Sequence, residues 1–163
     1  PGAMLNAHPE TFYENQHEPM SQGTRCRQLA TYVIFDSPLN MLCDNPSNYK
    51  REPECTAFIA RIPTVWDETL GLDGKVGEYI TMARRSGDEW YVGGLTNWDK
   101  RDIIVDLSFL GEGFYEIELF KDGINADRAA CDYKRVVMPV PEDRQLKVTL
   151  FPGGGFAGRI ERR

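Results

Sequence analysis

The feature that most constrains this chain is a change in the spacing of apolar residues near Pro63. Before Pro63, apolar residues recur at steps of three and four, which is typical of helices with one buried face. Beyond it, apolar and polar residues alternate, which is typical of strands that bury one face of a sheet. The change predicts two regions of different fold, residues 1–61 and residues 62–163.

The second region is predicted to be an antiparallel β-sandwich. Its clearest strand is 102–109, where Asp102 and Asp106 lie on one face and apolar side chains lie on the other. Further alternating segments are separated by glycine-bearing turns at 86–88 and 111–113, as expected for many short antiparallel strands. We expect about eight strands, with these residues facing the core: Val105, Leu107, Phe109, Ile117, Leu119, Val148 and Leu150.

The first region is predicted to contain a loop, a helix, a strand and a second helix. After the loop of residues 1–20, Ser21 is the expected N-cap of a helix that ends near Asp36. Residues 38–43 are mostly apolar and predict a short buried strand, and Pro63 ends the second helix. Two helical stripes carry the apolar residues: Cys26, Leu29, Ala30 and Val33, then Cys55, Phe58, Ile59 and Ile62.

This order of elements leaves the first region incomplete. A single strand between two helices has no neighbour with which to form a sheet, so residues 1–61 need strand partners that this chain does not contain. The two helical stripes also need cover, from the sandwich, from a second copy or from further polypeptide. The sequence therefore predicts a fragment that self-associates or depends on the rest of a larger protein.

Charge and composition narrow the class of partner. The 163 residues carry 19 Lys and Arg against 25 Asp and Glu, and the net charge of -6 argues against nucleic acid as a partner. No apolar run approaches the roughly 20 residues of a membrane helix, so no membrane partner is expected. The four cysteines lack a C-x-x-C pair or a histidine at zinc-ligand spacing, so we expect no metal site built on them.

Four residues are candidates for contacts with a substrate. His8 and His17 lie in the opening loop among glutamates, where they can bind a ligand or simply be hydrated. Asp44 and Asn45 follow the predicted strand at 38–43, and the carboxyl ends of strands face the active site in a barrel of parallel strands. The same two residues also suit a turn that leads into Pro46.

Two further patterns have competing interpretations. Asp122, Asn125, Asp127 and Asp132 suggest calcium, but their spacing misses the helix-loop-helix pattern and favours a hairpin turn. Trp66, Trp90 and Trp98 can stack on sugar rings or pack in a core, which is the commoner fate of tryptophan in a sandwich.

Four sequence strings resemble the final third of family 97 glycoside hydrolases. They are PMSQGTR at 19–25, SPLNMLCDNPSNY at 37–49, IPTVWDET at 62–69 and PGGGF at 152–156. The resemblance implies a calcium-dependent α-glycosidase with an amino-terminal β-sandwich, a central (β/α)8 barrel and a carboxy-terminal β-sandwich. Residues 1–61 would be the last elements of the barrel and residues 62–163 the carboxy-terminal domain, so this chain is expected to be mainly β.

The resemblance also implies which parts of the enzyme are elsewhere. In this family the catalytic acid, the base or nucleophile and the calcium ligands belong to earlier barrel segments, and no residue here matches them. The chain alone should therefore have no catalytic residue, bind no calcium and be inactive, and α-linked oligosaccharides should bind only together with the remainder of the barrel. Kinship with periplasmic members implies a periplasmic location.

The resemblance allows two substrate classes, one for each branch of the family. Members hydrolyse α-glucosides with inversion or α-galactosides with retention, and the strings look closest to the α-glucosidase branch. The alternative from another class is a non-catalytic sandwich that binds carbohydrate or serves only a structural role. Two amphipathic helices and a buried strand argue against this alternative, because a simple appended arm does not need them.

Overall fold

A computed structural model describes residues 2–163 as a mainly β molecule with its helices near the amino terminus. The helices are α1 (Arg25–Ile34), α2 (Pro46–Arg51) and α3 (Pro53–Arg61). Two short strands, β1 (Asn6–Ala7) and β2 (Ser21–Gln22), pair in parallel within the opening segment. Eight longer strands follow: β3 (Glu68–Lys75), β4 (Tyr79–Ser86), β5 (Glu89–Thr96), β6 (Arg101–Asp106), β7 (Tyr115–Asp122), β8 (Tyr133–Pro139), β9 (Gln145–Leu150) and β10 (Gly155–Arg162).

The eight strands form two antiparallel sheets. Six of them hydrogen-bond in the order β3-β4-β5-β10-β7-β8, and β6 pairs with β9 in a second sheet. One apolar core lies between the two sheets and contains all seven residues predicted to face it, with Phe109 partly buried at its edge. Asp102 and Asp106 are exposed, so the predicted register is confirmed, but the strand predicted over 102–109 ends at Asp106 and a 3-10 helix follows at Ser108–Leu110.

The helices cover the other face of the six-stranded sheet. Helix α1 packs on β10 and β5, and a second apolar core joins both helical stripes to residues of the sheet. Phe58 of α3 is fully buried, and its ring centroid lies 4.8 Å from that of Phe120 on β7. The stripes are therefore covered within this chain, in the first of the three predicted ways.

The helix predicted to begin at Ser21 begins later. Ser21 lies in β2, and the N-cap of α1 is Thr24, whose hydroxyl oxygen accepts a hydrogen bond from the Arg27 N–H at 3.1 Å. Gly23 precedes this cap with a φ of +96°, a conformation that favours glycine. Parallel pairing with Asn6 holds Ser21 in an extended conformation and excludes it from the helix.

The buried strand predicted at residues 38–43 is wrong for this structure. The segment forms no ladder with any strand of residues 2–163, and Leu39 and Met41 are 75% and 70% exposed. A strand needs a neighbouring strand to accept and donate its backbone hydrogen bonds. The segment is mostly apolar, but no strand among residues 2–163 pairs with it.

Four of these helices and strands were not predicted from the sequence: β1, β2, α2 and β3. Helix α2 begins at Pro46, in the segment interpreted as a polar turn, and Asn45 caps it. Strand β3 is an edge strand that is mostly exposed and has a bulge between Gly71 and Asp73, so its alternation is weak. Within residues 2–163, no helix has the length and apolarity needed to cross a membrane.

Candidate functional site

Asp44 organises the segment between the opening loop and α2. Its Oδ2 accepts the backbone N–H of Met4 at 2.7 Å, and its Oδ1 accepts the Asn48 amide at 2.8 Å and the Asn45 N–H at 2.6 Å. Partial burial acts to raise the pKa of Asp44, but these hydrogen bonds outweigh it and hold the pKa below the usual value. The carboxylate is therefore charged and already occupied by internal donors.

Asn45 and the two histidines have different environments. Asn45 is exposed, and its side-chain oxygen accepts the Ser47 N–H at 2.9 Å, as an N-cap does. His17 is exposed in the opening loop. His8 is buried, and its Nε2 lies 2.6 Å from the Ala126 carbonyl oxygen, to which it must donate because a carbonyl only accepts.

A cleft of about 550 Å³ brings two of the four candidates together. His17 and Asn45 line it, whereas His8 and Asp44 do not. Its other charged lining residues are Glu18, Arg25, Arg51 and Glu52. The cleft is large enough for a small-molecule ligand, and it lies between the opening loop and the start of α2 and α3.

Arg25 is a buried charge at this cleft, and its role could not be predicted from the sequence. Its Nη1 lies 2.7 Å from Glu52 Oε2, its Nη2 donates to the Met4 carbonyl oxygen, and its guanidinium covers the Tyr133 ring. Burial acts to lower the pKa of Arg25, but the nearby Cys131 and Glu52 raise it overall. The pairing joins α1 to the start of α3, and only a tertiary contact could reveal it.

The acidic residues considered for calcium are used within the fold. Asp122 accepts the Thr24 hydroxyl at 2.6 Å and the N–H groups of Phe151 and Gly155, and Asp132 Oδ2 accepts the Asn125 N–H at 2.8 Å. Among residues 2–163, no group of three or more His, Cys, Asp or Glu side chains could hold a metal ion. The carboxylates of Asp122 and Asp132 are thus engaged in hydrogen bonds within the fold.

The three tryptophans have separate roles. Trp90 is buried between the sheets, and its ring centroid lies 4.5 Å from that of Phe109. Trp66 packs edge-on against Tyr91 at 5.4 Å, and Trp98 is 44% exposed. Trp90 therefore packs in the core, as the second of the two interpretations predicts.

Asp122 makes the stability of the fold depend on pH. Burial raises its pKa to about 6, while the hydrogen bonds from Thr24, Phe151 and Gly155 partly oppose the rise. Because the folded-state pKa exceeds the unfolded one, the stabilisation is complete below about pH 4 and is lost as the pH rises through 6. We expect this group to lower the free energy of unfolding by up to about 3 kcal/mol between pH 4 and pH 7.

The measurement is urea unfolding at several pH values, with Asp122→Asn as the comparison. The variant should lose the decline in stability between pH 4 and pH 7, although it is less stable at low pH because its amide N–H groups face backbone donors. Asp132→Asn is the matched control and should keep the decline. An unchanged decline in Asp122→Asn would show that another group causes it.

The fold and the cleft define a mainly β domain with a helical layer and a ligand-sized cleft. Residues 65–161 match the family model described as "Glycosyl-hydrolase 97 C-terminal, oligomerisation". The chain belongs to this family, and it corresponds to the C-terminal part of family 97 glycoside hydrolases.

Two curated relatives are similar along nearly the whole chain. The retaining alpha-galactosidase of Bacteroides thetaiotaomicron is 65% identical over 160 residues, which are 98% of this chain and 24% of that protein. The probable retaining alpha-galactosidase of Streptomyces bingchenggensis is 32% identical over 91% of this chain and 22% of its own length. The chain thus spans about a quarter of the length of these relatives.

The solved structures agree on the fold. A glycoside hydrolase family 97 enzyme from Pseudoalteromonas sp. strain K8, in complex with panose, has a TM-score of 0.82 at 35% identity, covering 86% of this chain and 23% of that one. A beta-arabinopyranosidase has a TM-score of 0.73 at 30% identity, covering 89% of this chain and 23% of that one. The predicted family and the mainly β fold are confirmed.

Proposed function

We propose that this chain is the C-terminal part of a retaining α-galactosidase of family 97. The observation that carries the proposal is its 65% identity, over 98% of its length, to a protein named as a retaining alpha-galactosidase. The α-glucosidase expectation has weaker support, from a relative bound to panose that is only 35% identical. Because 65% identity is nearly twice 35%, the comparison favours an α-galactoside as the substrate.

The reaction needs two carboxyl groups that this part of the enzyme does not supply. A retaining glycosidase holds an acid and a nucleophile about 5–5.5 Å apart on either side of the glycosidic bond. Glu52, in the cleft, is paired with Arg25, and Asp44 is occupied by internal donors. We therefore assign the catalytic pair, and the calcium that the resemblance implies, to the remaining three quarters of the enzyme.

The role proposed for residues 1–61 is to complete and support the sugar-binding pocket. His17 and Asn45 line the cleft beside the opening loop, and Asp44 fixes that loop through the backbone of Met4 and Leu5. Self-association is part of the proposal, supported by the family description and by the exposed apolar segment at 39–42. The periplasmic location stays an expectation from kinship.

The direct test is a chimera. This chain replaces the matching 160 residues of the Bacteroides thetaiotaomicron relative, and hydrolysis of p-nitrophenyl α-galactoside and α-glucoside is measured together with the anomer released. We expect α-galactosidase activity within about tenfold of the relative's, with retention. A preference for the α-glucoside, or inversion, would contradict the proposal, and the unmodified relative is the control.

In the same chimera, Asp44→Asn should raise KM more than it lowers kcat. The neutral amide loses charge-assisted hydrogen bonds, and its N–H groups oppose the Met4 donor, so the opening loop shifts without loss of a reacting group. We expect KM to rise by about three- to tenfold, with kcat within about threefold.

Asp36 is exposed, so Asp36→Asn is the matched control for Asp44→Asn and should leave KM and kcat unchanged. If kcat instead fell by about four orders of magnitude at constant KM, Asp44 would take part directly in the reaction.

A further inference from the structure

Arg27 is a partly buried cation without an ion-pair partner among residues 2–163. Its Nη1 donates to the Thr96 carbonyl oxygen at 2.6 Å, and burial lowers its pKa with no compensating carboxylate. It also lies in the first turn of α1, which contains no acidic residue. Since a helix N-terminus carries a partial positive charge, this position favours an anion. The Asp122 carboxylate, which contacts the N-cap of this helix, is held by the Thr24 hydroxyl and two backbone N–H groups and does not form an ion pair with Arg27.

Arg27 lines a cleft of about 500 Å³ between the β3–β4 turn and the end of β5. Among the other charged lining residues, Lys75 lies 2.5 Å from Glu78, and Glu78 also pairs with Arg101 at 3.2 Å. Arg27 is therefore the lining cation that has no carboxylate partner within residues 2–163. Tyr79 forms part of the wall, and its hydroxyl is fixed by Asp73 at 2.9 Å. The apolar part of the wall consists of Val76, Ile80 and Leu95.

We propose that this cleft binds a pyranose that carries a carboxylate, as hexuronates do. The carboxylate would bind the Arg27 guanidinium, whose planar donors match its two oxygens. The apolar face of the ring would pack on Ile80 and on the face of Tyr79 opposite the Arg101 guanidinium, since aromatic and aliphatic walls complement the C–H face of a pyranose. A neutral sugar offers the same ring but leaves Arg27 without an anion.

This site lies apart from the cleft lined by His17 and Asn45, with which it shares no lining residue. The proposal concerns binding alone, so it does not depend on the proposed hydrolase activity or on its substrate. An acidic peptide side chain could also offer a carboxylate to Arg27, but it lacks the ring that the wall would hold.

The test titrates the isotope-labelled full chain with methyl α-galacturonide and with methyl α-galactoside, followed by NMR. The two sugars differ only in carrying a carboxylate or a hydroxymethyl group at C6. We expect the galacturonide to shift the amide signals of 76–80 and 95–97 with a millimolar Kd, and to bind about tenfold more tightly than the galactoside. Added salt should weaken the binding of the galacturonide and leave the binding of the neutral galactoside unchanged. Equal affinity for the two sugars would overturn the proposal.

Two variants locate the contact. Arg27→Gln keeps a donor for the Thr96 carbonyl but removes the charge, so it should abolish the preference for the galacturonide, whereas Arg27→Lys should retain part of it. Lys50→Gln, on the exposed face of α2, is the control. An unchanged preference in Arg27→Gln, or binding of acetate and N-acetylaspartate amide as tight as that of the galacturonide, would refute the site or its sugar class. If Arg27→Gln does not fold, the wild-type comparison of the two sugars still decides.

Discussion

Purified residues 1–163 should release no measurable p-nitrophenol from p-nitrophenyl α-galactoside or α-glucoside. Glycoside hydrolysis requires one carboxyl group to protonate the leaving oxygen and another to attack carbon or activate water. Two of the acidic groups near the cleft have other tasks, because Glu52 balances the buried Arg25 and Asp44 accepts internal N–H groups. Glu18 lines the same cleft from the exposed loop, but one carboxyl group cannot supply both functions.

The size of the expected effect makes this assay decisive. Enzymes of ordinary rate turn over about 1–1000 times per second, whereas the isolated chain should be slower by at least roughly a millionfold. The preparation must be free of host glycosidases, and calcium should be present. The chimera described above is the active control. Turnover in the ordinary range, lost in Glu18→Gln, would place a working catalytic site within this chain.

The sandwich could be predicted from sequence because its pattern is local. In β6, Val105 and the neighbouring alternate residues face the core, and the alternation alone determines which face is buried. The same reasoning failed for β3, where the inward residues Leu70 and Leu72 are only partly buried on an edge strand. An edge strand presents few apolar residues, so its period is hard to detect.

The helical region shows where local pattern is insufficient. The buried faces of α1 and α3 were predicted correctly, because spacing determines which residues share a face. Spacing alone cannot identify the surface that covers these faces. The N-cap of α1 at Thr24 depends on strand pairing by Ser21 and on Asp122, about a hundred residues away in sequence. Such contacts exist only in the folded chain.

The candidate site divides in the same way. Asp44 and Asn45 were identified because a polar pair follows an apolar run, and both have defined structural roles, although their contact with substrate stays a prediction. The ion pair of Arg25 with Glu52 could not be predicted, because it joins two helices across 27 residues of sequence. The unpaired Arg27 is likewise visible only when every neighbouring carboxylate has been placed.

The shared core implies that the helices and the six-stranded sheet unfold together. Phe58 of α3 and Phe120 of β7 bury each other, and Cys26, Leu29 and Ala30 of α1 belong to the same cluster. Phe58→Ala removes a fully buried ring from the middle of this contact. Such truncations cost about 3–5 kcal/mol, from lost apolar burial and the cavity left behind.

We expect Phe58→Ala to lower the free energy of unfolding by about that amount, measured by urea denaturation with far-ultraviolet circular dichroism and tryptophan fluorescence in parallel. Phe35→Ala makes the same chemical change at a position that is 47% exposed, and should cost no more than about 0.5 kcal/mol. Both probes should report one transition in each protein, because the helical layer and the sheet share a core. If Phe58→Ala cost less than about 1 kcal/mol, or if the two probes separated already in the wild-type chain, the helices would not be docked on the sheet. In that case the first region would depend on the rest of the enzyme for its fold as well as for its chemistry.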